Sequence, residues 1–225
     1  MRKAAKPVGI IAASIAIAVG ITMFFTECGL TLACASNRVE GTKSSVPPKT
    51  DAAGGGHVRG SADAPITLVE YGDYECPPCG FYEGIAARLL KEFPDSVKIE
   101  FHHFPLAAIH PNAVLAATAA EAAGEQNRYW EMHDLLFVSQ SKWKNAKDAE
   151  AQFNGLASQI GLDVTQFSQS LESAETRQRV LEDVKRGKTV QIDSTPTFFL
   201  NGDRMKPAPA NFEEFRERIE QALRK

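Results

Sequence analysis

Two cysteines separated by two prolines, Cys76-Pro77-Pro78-Cys79, stand where the chain changes from a strand pattern to a helix pattern. Ahead of them, Ala64-Pro65-Ile66-Thr67-Leu68-Val69-Glu70-Tyr71 is a β-branched, apolar run of the kind that forms a buried strand. Gly72-Asp73-Tyr74-Glu75 supplies a turn, and beyond it Phe81, Ile85, Leu89, Leu90 and Phe93 recur at helical spacing. This places Cys76 at a helix N-terminus, where unpaired N–H groups and the helix dipole favour an anion, here a thiolate. The thiolate is the species that attacks disulfides, and its pKa falls in such a setting. Cys79 follows one helical turn later on the same face, within reach to resolve a mixed disulfide. Pro77 and Pro78 suit a first turn, where no N–H is needed, and stiffen the link between the sulfurs. The stretch has the chemistry of a redox dithiol.

A zinc half-site is the competing reading of the same four residues. Structural zinc needs a second pair of ligands at suitable spacing. The candidates are His102, His103 and His110, with no second CxxC, and Cys28 and Cys34 lie in or near an apolar segment. The strand-then-helix context favours redox chemistry, which needs neither metal nor cofactor, because it is exchange between sulfurs.

Far downstream, Ser194-Thr195-Pro196-Thr197-Phe198-Phe199-Leu200-Asn201-Gly202 reads as a proline opening an apolar strand that closes in an Asn-Gly hairpin turn. With Cys76–Cys79 and Thr195-Pro196 in this order, the chain from about Val58 onward resembles the thioredoxin superfamily. Within it, the chain is similar to the DsbA-like branch with its helical insertion. The resemblance implies an α/β thioredoxin-like fold carrying an inserted all-helical cap. It also implies a cis Thr195–Pro196 bond lying against the Cys76 sulfur, with the Thr195 backbone free to pair with an extended substrate peptide.

The length, 225 residues, permits one or two domains with a full core, and the net charge of -3 gives no reason to expect nucleic acid. Arg2, Lys3 and Lys6 precede an uncharged, apolar run from Pro7 to Thr26. That run meets the length of a membrane span, and its basic flank places the rest of the chain outside the cytoplasm. Residues 1–35 therefore form a membrane anchor or signal segment. Retention is favoured by the length of the run. Ala33-Cys34-Ala35 also fits a cleavage site, and Leu32-Ala33-Cys34 the end of a lipoprotein signal, although Thr31 stands where that pattern prefers an aliphatic residue. Each outcome delivers the domain to the extracytoplasmic or periplasmic side, where disulfides persist. Cys28 and Cys34 are read as part of the targeting segment, with a local disulfide, lipidation or an auxiliary thiol pair as alternatives. Residues 36–60, rich in Ser, Pro and Gly, read as a flexible tether in which His57 is solvated.

The domain itself is assigned to residues 61–225. Ser96 to His102 alternates as a second strand, with His102 and His103 as polar positions at its end. The insertion, about 110–188, reads as helices over Asn112–Glu125, Arg128–Gln140, Asp148–Ile160, Val164–Leu171 capped by Asp163, and Ala174–Arg186 stopping at Gly187. The aromatic residues of Trp130 to Phe137 are read as cap core rather than a peptide groove. Asp203 to Lys206 forms a short edge strand guarded by charge and by Pro207 and Pro209, and Asn211 caps a closing helix.

Glu70, on the first strand, occupies the place where thioredoxin-like proteins often carry a buried carboxyl. There it would have a raised pKa and exchange a proton with Cys79. Glu75, next to the nucleophile, is read as solvated. The resulting expectation is an extracytoplasmic thiol:disulfide oxidoreductase that introduces disulfides into secreted proteins. Cys76 is its nucleophile and Cys79 its resolving thiol, Pro77 and Pro78 shape the loop, and Thr195 and Pro196 hold substrate. The family implies reduced secreted proteins as partners, together with a quinone-linked membrane partner; a monomer is expected. Pro77-Pro78 supplies neither charge nor donor to stabilise the thiolate, so reductase and isomerase activity stay open. A non-catalytic chaperone or binding module of the same fold is the alternative from another class.

Overall fold

The β-branched run ahead of the cysteines forms strand β2 (Ile66–Gly72), and the helical pattern after them forms α1 (Pro77–Glu92). These come from a computed structural model describing residues 56–225, all within one unit, Lys43–Lys225. The apolar N-terminal segment, Cys28, Cys34 and the tether up to residue 55 lie outside the described residues. Among the described residues no helix is long and apolar enough to cross a membrane.

After α1 the chain returns through β3 (Val97–His103), parallel to β2 with Ile66 opposite Val97 and Gly72 opposite His103. The crossover helix α1 makes this parallel pairing possible. The cap follows as α2 (Ala113–Gly124), α3 (Tyr129–Val138), the short α4 (Gln140–Trp143), α5 (Ala149–Gln159), α6 (Val164–Glu172) and α7 (Ala174–Thr189). The chain then re-enters the sheet as β4 (Thr197–Leu200) and β5 (Asp203–Arg204) and closes with α8 (Phe212–Leu223). An N-terminal strand, β1 (His57–Gly60), pairs antiparallel with β3, so the five-stranded sheet runs β1-β3-β2-β4-β5.

The tether expectation therefore fails at its C-terminal end. Residues 57–60 are a strand, and His57 is half-buried rather than solvated. Side chains hold this edge in place. Trp130 Nε1 donates to the Val58 carbonyl at 3.2 Å, and Arg59 forks onto both Asp134 oxygens at 2.7 and 3.0 Å.

Strand alternation sorts the core. Ile66 and Leu68 of β2, with Ile99 and Phe198, pack under α1 and α8 against Ile85, Leu89, Phe215 and Ile219. Glu70 has the same parity as Ile66 and Leu68, so the alternation directs it to the α1 face. Val69, Tyr71 and Phe199 face the other way onto Phe104, Val190 and Ile192. The cap has its own cluster, in which the alanines of α2 pack against Met132, Leu136, Phe153 and Phe167. Met132, Leu136 and Phe137 are buried cap core as expected. Phe81, counted with the core positions of α1, is instead exposed.

Local capping matches the sequence expectations closely. Asp163 and Asn211 accept a backbone N–H from the first turn of α6 and α8 as expected, and Asp148 does the same for α5, a cap the sequence reading did not assign. Gly161 has φ +74° just past the end of α5, and Asn201-Gly202 turns the β4–β5 hairpin with φ of 48° and 92°. Gly187 differs. It lies inside α7, not at its end, and is a glycine there because a Cβ would meet Phe104 at 2.6 Å.

Candidate redox site

The turn ahead of Cys76 is organised by Asp73, whose side chain is fully buried. Its Oδ1 accepts the Glu75 N–H at 2.8 Å, and its Oδ2 accepts the Leu106 N–H at 2.8 Å and a bond from His110 Nδ1 at 2.7 Å. This ties the loop after β3 to the turn that presents the cysteines. Gln140 grips the same turn from the cap, donating to the Tyr74 and Cys76 carbonyls at 2.7 and 3.0 Å. Neither residue stood out in the sequence. For Asp73 the signal was its place in a Gly-Asp turn; Gln140 carried none.

Cys76 is the N-cap of α1, with Pro77 and Pro78 in the first turn as anticipated. Its Sγ–H donates to the Thr195 carbonyl at 3.4 Å, and the Thr195–Pro196 bond is cis. The two separated motifs are therefore joined at one sulfur. The Cys76 pKa is lowered to about 6. The chief cause is the hydrogen bond from the Cys79 thiol, opposed by burial and helped by the Thr195 side chain and the Cys79 backbone N–H. In the thiol state the Thr195 hydroxyl is buried without a hydrogen-bond partner of ordinary geometry. Ionisation of Cys76 supplies one, because a thiolate accepts where a thiol donated. The same proximity works oppositely on Cys79. Burial first, then its bond to Cys76 and the charge of Glu70, push its pKa well up. One sulfur is thus poised to attack and the other held protonated until needed.

Glu70 is buried, and its Oε1 has no hydrogen-bond partner in the protein. Burial, followed by the charges of Glu83 and Cys76, raises its pKa well above the ordinary carboxyl value. It borders a cavity of about 10 Å³ shared with Arg59, Glu83 and His133, large enough for about one water molecule. A neutral carboxyl in this position can hold a proton for Cys79.

Glu75 is not solvated. It is 4 % exposed, and its carboxylate accepts the Asn112 N–H at 2.7 Å at the start of α2. Burial raises its pKa against the pull of that bond. Its partner, the N-terminus of a helix, accounts for a carboxylate being tolerated beside the nucleophile.

The three histidines weighed as zinc ligands point elsewhere. His102 is enclosed between Glu100 at 2.8 Å and Asp183 at 3.0 Å, His103 meets Glu121 at 2.9 Å, and His110 holds Asp73. Among the described residues neither cysteine belongs to a cluster of metal-ligating side chains. His102 and His103 lie at the end of β3 as expected, and there they are buried members of charge networks.

A family model described as thioredoxin matches residues 52–221. The chain belongs to the thioredoxin superfamily. Solved structures that it resembles include DsbA proteins, with which it shares the fold. BdbD from Bacillus subtilis is 27 % identical, covering 75 % of this chain and 92 % of that one with a TM-score of 0.67. Alpha-DsbA1 from Wolbachia pipientis, at 18 % identity, shares the fold over 80 % of this chain and 94 % of that one, TM-score 0.66. Curated relatives carry another name. A Na(+)/H(+) antiporter NhaA 1 of Salinispora arenicola is 43 % identical over 148 residues, which is 66 % of this chain but 22 % of the relative. The thioredoxin-like chain thus spans less than a quarter of the length of such relatives.

Proposed function

We propose that this protein is a thiol:disulfide oxidoreductase of the cell envelope that introduces disulfides into secreted proteins through Cys76 and Cys79. The observation that carries this reading is the opposed pair of thiol pKa values, Cys76 drawn down to about 6 and Cys79 pushed well up, beside cis-Pro196. In the oxidising direction, a substrate thiolate attacks the Cys76 sulfur of the disulfide, and Cys79 leaves as a thiolate. Glu70 protonates Cys79. A second substrate thiolate then attacks the mixed disulfide at the substrate sulfur and expels Cys76 as a stabilised thiolate. Two electrons pass from the substrate dithiol to the enzyme, and the substrate gains one disulfide.

The Cys76 pKa does not by itself set the direction. Values of about 3.5 accompany the strongest oxidant of this chemistry and values of about 7 accompany a reductant. At about 6 the Cys76 pKa lies between these two, so the direction of exchange is assigned by the reduction potential and not by this shift. Thr195 and Pro196 are assigned to the substrate backbone. The apolar N-terminal segment is assigned to delivering the domain outside the cytoplasm, as an anchor with the residues up to 55 as its tether. A membrane partner would reoxidise the pair. Transport is not carried over from the antiporter relatives, because the match covers so little of them.

The deciding measurement is the reduction potential of the Cys76–Cys79 pair by equilibration with glutathione. A value on the oxidising side of about -200 mV supports disulfide donation. A value near about -270 mV makes the protein a reductant and overturns the proposal.

A further inference from the structure

Away from the sulfurs, three side chains from three elements converge on one point. His57 of β1 and His103 of β3 both direct Nε2 at the same oxygen, Oε1 of Glu121 in α2, at 2.7 and 2.9 Å. Glu121 is the one acid in the run Ala113–Ala123, a helix otherwise built of small and apolar residues with Thr118, and it is 5 % exposed. Its Oε2 lies 3.8 Å from Arg179, which leaves Oε1 to the two imidazoles.

We propose that His57, His103 and Glu121 form a binding site for a divalent transition-metal ion of the zinc or copper(II) class. The three donor atoms lie within 4.8 Å of one another, so small movements bring them to the about 2.0–2.2 Å that such an ion requires. Two imidazoles and one carboxylate suit zinc or copper(II), whereas calcium and magnesium prefer oxygen donors throughout. The set leaves a coordination position open, the pattern that accepts water or an exogenous ligand. His57 and Glu121 line a cleft of about 770 Å³ that gives the site an entrance.

Neighbouring groups orient the ligands, and one of them, Tyr129, also reaches the donor atom Nε2 of His103. The His57 ring stacks on Tyr129 with centroids 3.3 Å apart, which fixes its plane. Tyr129 Oη lies 3.4 Å from His103 Nε2 and 3.2 Å from Tyr74 Oη, linking the site to the turn before Cys76. His103 Nδ1 is buried and has no partner, so its tautomer is set only at Nε2, where the carboxylate sits. On metal binding the proton between His103 and Glu121 moves to Nδ1 or leaves, and the ion takes its place.

A second cluster, Glu83, His133 and Asp134, is less apt. Asp134 there is already held by Arg59 at 2.7 Å, a fixed cation where an ion would otherwise sit.

The test is zinc uptake by the full-length protein, oxidised at Cys76–Cys79 and with remaining thiols alkylated, in competition with a chromophoric chelator. One zinc per chain is expected, with affinity falling at least about tenfold in His57→Ala and in Glu121→Gln and unchanged in His133→Asn. Circular dichroism checks that each variant folds. His57 lies half-buried on an edge strand, so its variant decides the matter even if changes at the buried positions disrupt folding. Absence of zinc uptake overturns the proposal. So does uptake that His57→Ala leaves unchanged or that His133→Asn abolishes, either of which puts the ion elsewhere.

Discussion

Cys76 Sγ lies 3.4 Å from the carbonyl oxygen of Thr195, a residue 119 positions away in the chain. That contact joins the two sequence motifs into one site, but it is not what lowers the pKa. The lowering comes first from the Cys79 thiol. Reaction of Cys76 with iodoacetamide in the reduced protein, followed on its own peptide by mass spectrometry, should therefore titrate with a midpoint near pH 6. In Cys79→Ala the midpoint should rise by about one unit or more, because the chief donor to the thiolate is gone. An unchanged midpoint would transfer the effect to the helix terminus.

The same shift fixes how stability depends on pH in the reduced protein. The Cys76 pKa is depressed from 9.0 to about 6 on folding. Its contribution is therefore fully present above pH 9 and is lost as pH falls through about 6. The oxidised protein has no such thiol. Urea melts of both forms between pH 5 and 9 should show the reduced form gaining stability relative to the oxidised form as pH rises. A constant difference would contradict the assignment.

Glu70 should set function against stability. Glu70→Gln keeps the shape and removes the proton, so disulfide exchange at pH 7 should slow by roughly 10²-fold, within the usual range for a general acid or base. Glu70→Leu removes a buried polar atom that has no partner, and should raise stability by about 1–3 kcal/mol in urea unfolding. Loss of stability in the leucine variant would mean that the carboxyl is well satisfied.

His102 predicts a separate pH dependence. Burial lowers its pKa, but the hydrogen bonds to Asp183 and Glu100 outweigh this and raise it to about 9. A raised pKa contributes stability that is complete below about 6.5 and is lost as pH rises through about 9. His102→Ala removes the buried partner that Glu100 and Asp183 share and should cost about 3–5 kcal/mol. Thermal melts that show no loss between pH 7 and 9.5 in the parent protein would argue for a neutral imidazole.

The elements that local chemistry specifies were legible in the sequence. Asp163 and Asn211 cap helices through bonds that span two or three residues, and Asn201-Gly202 turns a hairpin by its own backbone preference. Strand β1 was not legible. Four residues in a Ser- and Gly-rich stretch have little periodicity, and their strand character comes from pairing with β3 and from Trp130 and Arg59. Glu75 and Gly187 were misread for a related reason. A solvated acid and a helix-ending glycine are the usual local meanings of those residues, while the helix N-terminus at Asn112 and the close approach of Phe104 are distant in sequence.

By itself the sequence determined the dithiol, its strand-to-helix setting, the proline strand and the helical insertion, because each follows from spacing and intrinsic preference. Only the tertiary structure decided that the Cys79 thiol is the chief cause of the Cys76 shift, that Glu75 is buried against a helix N-terminus, and that His57, His103 and Glu121 meet. Those properties depend on burial and on distances of a few ångströms between residues far apart in the chain, which residue order does not record.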